Sequence, residues 1–127
     1  MSWKLYGMIA AGGAAGALAR VLAQEGMKLL LGAAFPYGTL AVNCAGSFLI
    51  GWALYRPDPA TPPGFHATWF AAGFLGALTT FSTFSMDNYQ FLFTEQAYAR
   101  AAVNILANVA GCLVCVWAGA QCAATMR

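Results

Sequence analysis

Charged residues divide the chain into four long apolar stretches that have the length of membrane helices. The uncharged runs are 5–19, 29–55, 59–86 and 101–126. A membrane helix needs about 20 mostly apolar residues, which the last three runs supply alone. The first run suffices if Arg20 lies near a helix end and its side chain reaches the membrane interface. The predicted helices cover about 3–23, 37–56, 65–94 and 98–122.

The connections between these helices are short, so we predict one transmembrane domain over 1–127 and no extramembrane domain. The stretch 24–36 is predicted to be a partly interfacial loop, and 95–100 a tight hairpin. Four of the five prolines fall within 56–64, which marks the clearest break. No cleavable signal peptide is predicted, because the apolar segment after Lys4 is long and glycine-rich.

The composition supports a membrane protein and excludes other classes. Hydrophobic residues make up 61% of the chain and charged residues 8%, against roughly 25% charged residues in soluble proteins. Such a sequence suits neither a soluble globule nor a disordered chain. The net charge of +2 gives no support for nucleic-acid binding. We therefore predict an all-α integral membrane protein.

The positive charges give almost no preference for one orientation in the membrane. Four helices place three of them on each side, namely Lys4, Arg56 and Arg127 against Arg20, Lys28 and Arg100. Two interpretations stay open. Either one loop dominates and fixes a single orientation, or the chain has dual topology and pairs antiparallel with a second copy.

Polar residues inside the apolar runs form two stripes along predicted helices. The stripes are Thr39, Asn43 and Ser47 in the second helix, and Asn104, Asn108 and Cys112 in the fourth. An unsatisfied amide in hydrocarbon costs several kcal/mol, so each stripe must face a partner or water. Interhelical hydrogen bonds are one explanation. Two donor-rich stripes on two helices favour the other, a hydrated path.

The third helix contains five hydroxyl residues within 79–85, near the middle of the span. Such residues compete with helical backbone hydrogen bonds, which predicts a break in this region. The alternative is a continuous helix whose hydroxyls bond to earlier carbonyls. A break would expose carbonyls that suit a cation. Phe81 and Phe84 lie three residues apart, so their electropositive ring edges can share a face.

Three stretches of the chain resemble the Fluc (CrcB) family of fluoride channels. They are GGAAGA at 12–17 followed by Arg20, GTLAVN at 38–43 followed by GSF at 46–48, and GFLGALTTFSTFS at 73–85. The match extends over the whole chain in length, order and four-helix plan, and the third motif is highly specific. The resemblance implies an antiparallel dual-topology homodimer with two fluoride pores in the plasma membrane, the inner membrane of a bacterium.

The resemblance also implies roles for individual residues. Main-chain carbonyls of Gly76 and Thr79 from both subunits would hold a structural sodium ion at the dimer centre. Arg20 would lie at an aqueous vestibule. With the stripe that begins at Thr39, the expected fluoride pathway contains Asn43, Phe81, Phe84, Ser82, Thr83, Thr39, Asn104, Asn108 and Cys112.

The chain departs from the usual family pattern at three positions. Ala77 stands where a second glycine is common, and Asp87 where a glutamate is common. Cys112 replaces a hydroxyl residue, and because a thiol is a weaker donor, that end of the pathway is expected to be less polar. These departures leave the core motif intact.

The expected activity is passive and selective fluoride exit from the cytoplasm. Fluoride is small and tightly hydrated, so a pore must replace its water with amide, hydroxyl and ring-edge donors spread over several weak sites. A central cation would add positive potential nearby. The sequence contains no Ser-His-Asp set, P-loop or HExxH motif, so we predict that the protein is not an enzyme.

Two other functions are weighed against this one. A proton-coupled exporter of organic cations needs a carboxylate deep in a span, yet the first segment has none before Glu25. A non-transporting subunit of a larger complex explains the small residues, such as Gly12 and Gly16, but not the donor stripes. Cys112 and Cys115 have no further ligands nearby and are interpreted as packing residues.

Overall fold

A computed structural model describes residues 2–55 and 68–126, and the regular structure within these ranges is entirely helical. The helices are α1 (Trp3–Leu31), α2 (Tyr37–Leu54), α3 (π-helical Trp69–Leu75 followed by α-helical Gly76–Leu78), α4 (α-helical Phe81–Tyr89 followed by π-helical Gln90–Thr94) and α5 (Tyr98–Thr125). The all-α prediction is confirmed for the described residues. The predicted loop 56–64 lies outside them.

Three of these helices are long and apolar enough to cross a membrane, namely α1, α2 and α5. They carry many exposed large apolar side chains, including Leu106, Leu113 and Trp117 on α5. Such exposure is unfavourable in water but suits a lipid-facing surface. The remaining predicted crossing, the third along the chain, consists of α3 followed by α4. Its passage through the membrane stays a prediction.

Helix α1 is longer than the predicted span of 3–23, because it continues to Leu31. Two charged residues after position 23 pair along the helix, where Lys28 Nζ donates to Glu25 Oε1 over 2.9 Å. Lys28 also lies in the last turn, where a positive charge interacts favourably with the helix dipole. Gly32, with φ 82°, ends the helix, so the first connection is shorter than predicted.

The break in the third segment is also shorter than the predicted range of 79–85. Only Thr79 and Thr80 have extended backbone, whereas Phe81 already begins α4. Thr80 is the N-cap residue of α4 and accepts a hydrogen bond from Thr83 N. The hydroxyl-rich sequence therefore starts a new helix after two residues instead of disrupting a longer stretch.

Small residues bring the helices into close contact. The most extensive contact joins α2 to α5, and α1 packs mainly against α3. A Cβ atom at Gly119 would overlap the Phe48 carbonyl, and one at Gly16 would overlap the Phe74 carbonyl. Backbones approach this closely only where a side chain is absent. Around these contacts, Val42, Leu75 and Leu78 form a small apolar core.

The predicted hairpin at 95–100 is a tight connection between α4 and α5. Gln96 has φ 52°, an unusual value for a residue other than glycine. Arg100 donates to Glu95 Oε2 and, over 3.0 Å, to the Ala34 carbonyl, and its guanidinium lies over the Phe91 ring. The arginine thus joins this connection to the one between α1 and α2.

We predict that Gly119→Leu lowers the stability of the protein by about 1–3 kcal/mol, because the added side chain forces α2 and α5 apart. Thermal unfolding of the detergent-solubilised protein measures the loss. Gly7→Leu is the matched control, since nothing lies within 4 Å of a Cβ at Gly7. Equal stability of the two variants would contradict the close contact.

Candidate functional site

The site is built around the two extended residues between α3 and α4. Thr79 has φ −80° and ψ 153°, and Thr80 has φ −149° and ψ 111°. The Thr79 backbone N–H and hydroxyl both donate to the Leu75 carbonyl, over 3.1 and 3.0 Å. The last turn of α3 is therefore closed by Thr79, and the chain leaves the helix immediately afterwards.

Asn43 of α2 binds both backbone polar groups of Thr80. Its Oδ1 accepts from the Thr80 N–H over 2.7 Å, and its Nδ2 donates to the Thr80 carbonyl over 3.2 Å. Nδ2 also donates to Asn108 Oδ1 of α5 over 3.0 Å. One amide side chain thus binds both backbone polar groups of Thr80 and connects α2, the break and α5.

The Thr80 hydroxyl organises the start of α4. It accepts from Thr83 N over 3.2 Å and donates to Thr83 Oγ1 over 3.0 Å, with Ser82 Oγ at 3.3 Å. In the sequence alone Thr80 is only one member of the hydroxyl run. Threonine is a favoured N-cap residue, which is the only local signal for its role.

The break leaves the carbonyls of residues 76–79 without a backbone donor among the described residues, and those of Gly76 and Thr79 are two of them. Thr80 N–H donates to Asn43, so it does not bond to Gly76 O as it would in a continuous helix. Thr83 N bonds to the Thr80 hydroxyl, so Thr79 O is likewise left free by the cap. Free carbonyl oxygens are suitable ligands for a hard cation such as sodium.

A chain of asparagine amides continues from Asn43 across the protein. Asn108 Nδ2 donates to Asn104 Oδ1 over 2.9 Å, and Asn104 Nδ2 donates to Asn88 Oδ1 over 3.2 Å. Asn88 Nδ2 then donates to the Phe84 carbonyl over 2.8 Å. Asn88 was missed by the sequence analysis, although its spacing of four residues from Phe84 could have indicated it.

A cavity of about 420 Å³ lies beside the break. Seven of the predicted site residues line it, namely Asn43, Gly76, Thr79, Phe81, Phe84, Asn108 and Cys112. Apolar side chains such as Leu75 and Val109 form much of the remaining wall. The cavity therefore combines a few amide groups and aromatic rings with a mostly apolar lining.

The two phenylalanines differ in exposure. Their ring centroids lie 5.3 Å apart with planes inclined at 50°. Phe84 is 8% exposed and forms part of the inner wall, whereas Phe81 is 78% exposed. Phe81 consequently lines the cavity while presenting most of its surface to whatever lies outside this chain.

A second, more polar cavity of about 300 Å³ contains two other predicted residues, Thr39 and Thr83. Asp87 and Lys28 also line it. Thr39 is buried, and its hydroxyl accepts from Gln24 Nε2 over 3.3 Å. The predicted pathway residues are thus divided between two cavities, at the break and beside the α1–α2 connection.

Three predicted residues line neither cavity. Asn104 is 0% exposed and is enclosed in the amide chain, while Ser82 is exposed. Arg20 is half-buried within α1, and it does not lie near a helix end because that helix continues to Leu31. The vestibule role of Arg20 therefore stays a prediction.

The four cysteines are free thiols, and Cys44 of α2 lies against Gly111 of α5. Within residues 2–55 and 68–126, no group of three or more His, Cys, Asp or Glu side chains is arranged to hold a metal ion.

Together these features define a small helical membrane protein with a mostly apolar cavity at a broken helix and a more polar cavity beside the α1–α2 connection. The family model described as "CrcB-like protein, Camphor Resistance (CrcB)" matches residues 7–120, and the chain belongs to this family. The resemblance noted from the motifs is thus confirmed, and the chain is a multi-pass membrane protein.

Several relatives share the name fluoride-specific ion channel FluC. The protein from Vibrio parahaemolyticus is 46% identical over 122 residues, which are 94% of this chain and 94% of that one. The protein from Pseudoalteromonas translucida is 47% identical over 116 residues, 90% of this chain and 95% of that one. One from Vibrio vulnificus is 44% identical, with 94% of both chains covered. The family is one of ion channels and not of enzymes.

We predict that Asn43→Leu destabilises the protein, because it leaves the Thr80 N–H and carbonyl without their partner. An orphaned buried polar group costs about 1–3 kcal/mol. Thermal unfolding in detergent measures the loss. Ser47→Ala, one turn along the same stripe, is the matched control and should remain close to the unsubstituted protein. A loss no greater than that of the control would contradict the bonds described here.

Proposed function

We propose that this protein is a fluoride-selective channel through which fluoride leaves the cytoplasm passively, down its gradient. The observation that carries the proposal is the cavity at the break, where Asn43, Asn108 and two phenylalanines line one space. The name shared by its relatives agrees with this function. The corresponding location is the inner membrane of a bacterium.

The cavity chemistry suits a small anion. Idealised transfer of a small ion into a low-dielectric interior costs of order 20 kcal/mol, so a pore has to supply other donors. Phe81 and Phe84 offer electropositive ring edges, and Asn43 and Asn108 carry amide N–H groups that an anion would reach by displacing their present protein acceptors. None of these groups carries a full positive charge, which keeps binding weak enough for release.

The proposed pathway joins both cavities. Thr39 and Thr83 line the more polar one, which suits a hydrated approach to the pore. Beyond them the proposed pathway continues along the Asn43 amide and the rings of Phe81 and Phe84. Asn108 and Cys112 of α5 line the same cavity. Ser82 and Asn104 belong to the same pathway in the sequence-based prediction. Neither residue lines a cavity, but Ser82 lies beside the Thr80 hydroxyl and Asn104 binds Asn108, so we propose that they support these lining residues.

We also propose that two copies associate antiparallel and form two pores. The exposed Phe81 ring supports this, since it lines the cavity yet has little covering from its own chain. Helix α4 makes few contacts with the rest of the chain, so most of its surface is available to a partner. The balanced positive charges agree with insertion in both orientations.

A structural sodium ion at the centre of this dimer is part of the proposal. The carbonyls of Gly76 and Thr79 fit the role, because the hydrogen bonds at the break leave both oxygens free. When bound, the cation supplies positive potential beside the pores and links the two subunits.

The transport test measures fluoride efflux from proteoliposomes that contain the purified protein. We expect rapid fluoride efflux, and a loss of at least about tenfold in Phe81→Ile, because the ring edge is removed from the cavity. Phe93→Ile is the matched control, since Phe93 is also a largely exposed aromatic residue of the same segment, 70% exposed, and lines neither cavity.

Two outcomes would contradict the proposed channel. Chloride efflux as fast as fluoride efflux would contradict the proposed selectivity for fluoride. Equal fluoride efflux in Phe81→Ile and Phe93→Ile would contradict the assignment of the Phe81 ring to the fluoride pathway. Elution of both variants at the position of the unsubstituted protein verifies that assembly is unchanged.

Dual topology is tested by labelling a single thiol near the N-terminus. Ser2→Cys is introduced after the four native cysteines are replaced by serine, and intact cells are treated with a membrane-impermeant maleimide. We expect about half of the thiols to react, because both orientations are equally populated when the positive charges balance. Permeabilised cells, in which all thiols should react, are the control. Labelling of all or none in intact cells would exclude dual topology.

A further inference from the structure

Helix α4 carries Phe84 but is held only lightly by the rest of its own chain. Its contacts with α2 and with α5 are few compared with those between α2 and α5. Phe84 nevertheless has a buried, defined position on the wall of the cavity. Contacts of α4 with its neighbours are therefore a weak constraint on the helix as a whole, and polar contacts to its backbone contribute to its position.

One polar connection to α4 is the amide chain that ends on Phe84. Starting at α2, it passes from Asn43 to Asn108, then to Asn104 and Asn88, through bonds of 3.0, 2.9 and 3.2 Å. The last bond, 2.8 Å long, joins Asn88 Nδ2 to the Phe84 carbonyl. Asn104 and Asn108 are anchored in α5, so Asn88 connects α4 to a long membrane helix.

All four amides donate in the same direction, and one backbone group sets that direction. The Thr80 N–H can only donate, so the Asn43 atom that faces it must be Oδ1. Asn43 Nδ2 then faces Asn108 Oδ1, and each following amide is oriented in turn. The chain ends on a carbonyl, which can only accept. Hydrogen bonds aligned in this way polarise and strengthen one another.

We propose that Asn88 is a positioning residue for Phe84, acting as the last member of a polarised amide relay that begins at Thr80. Asn88 and Asn104 line neither cavity, so they do not touch an ion there. Their effect passes through the Phe84 backbone and thus through the position of its ring. The inference rests on the proposed fluoride channel, because it assigns Asn88 an influence on ion discrimination.

The test compares fluoride and chloride efflux in proteoliposomes for two variants. Asn88→Leu removes both hydrogen bonds of the side chain. Asn88→Ser keeps a hydroxyl able to bond to the Phe84 carbonyl, as Ser85 bonds to Phe81 O over 2.9 Å, but it is too short to reach Asn104. We expect both variants to lose fluoride-over-chloride discrimination by about tenfold, the effect of one buried hydrogen bond.

Ser85→Ala is the matched control, because it removes a bond to the carbonyl of the other phenylalanine without affecting the relay. It should keep the discrimination of the unsubstituted protein. If Asn88→Leu lowers thermal stability but keeps its discrimination, Asn88 is only a helix–helix contact and the inference is wrong. Full discrimination in Asn88→Ser would also overturn it, since the local bond alone would then suffice.

A double-mutant cycle tests the relay without reference to transport. Asn88 and Asn108 each form a hydrogen bond with Asn104 and none with each other, so the relay joins them only through Asn104. Melting temperatures are measured for Asn88→Leu, Asn108→Leu and the double variant. A relay predicts a combined loss clearly smaller than the sum of the single losses. Additive losses would overturn it, whereas absent fluoride efflux in the unsubstituted protein would overturn the proposed channel.

Discussion

The hydrogen bond from the Thr80 N–H to Asn43 Oδ1 is the interaction on which the rest of the site depends. It takes from α3 the donor that would otherwise continue the helix, and so it frees the Gly76 carbonyl. The same bond fixes which way the Asn43 amide points, and with it the direction of the amides that follow. The break, the free Gly76 carbonyl and the oriented set of donors thus have one common origin.

This bond is possible only because α2 lies very close to its neighbours. Gly51 and Gly119 let the backbones of α2 and α5 approach each other, and a Cβ at Gly46 would overlap the Thr79 methyl group. In lipid there is little hydrophobic drive between helices, so close backbone contact and polar bonds supply the association. The glycines therefore support the site by bringing Asn43 within reach of Thr80.

The sequence was sufficient to predict the helical class, the region of the break and the need of the asparagine stripes for hydrogen-bond partners. These features follow from a local rule, since polar groups in hydrocarbon need partners. The partners themselves depend on how helices meet. For that reason the cap at Thr80, the bond between Asn88 and Phe84 and the separation of Thr39 from Asn43 into different cavities were not predicted. The length of α1 was underestimated because charged residues such as Glu25 and Lys28 were taken to mark a loop, whereas their exposed side chains lie on helical turns.

The Nδ2 group of Asn43 already donates to two protein acceptors, and this affects how a channel of this kind conducts. Both acceptors of its Nδ2, the Thr80 carbonyl and Asn108 Oδ1, lie at the cavity wall. An anion that binds Asn43 must therefore displace one of them, so part of the binding energy is offset by a lost internal bond. The phenylalanine edges require no such exchange. Under the proposed function, this difference makes the amide a weak, exchangeable site between aromatic ones, and weak sites in series permit both capture and release.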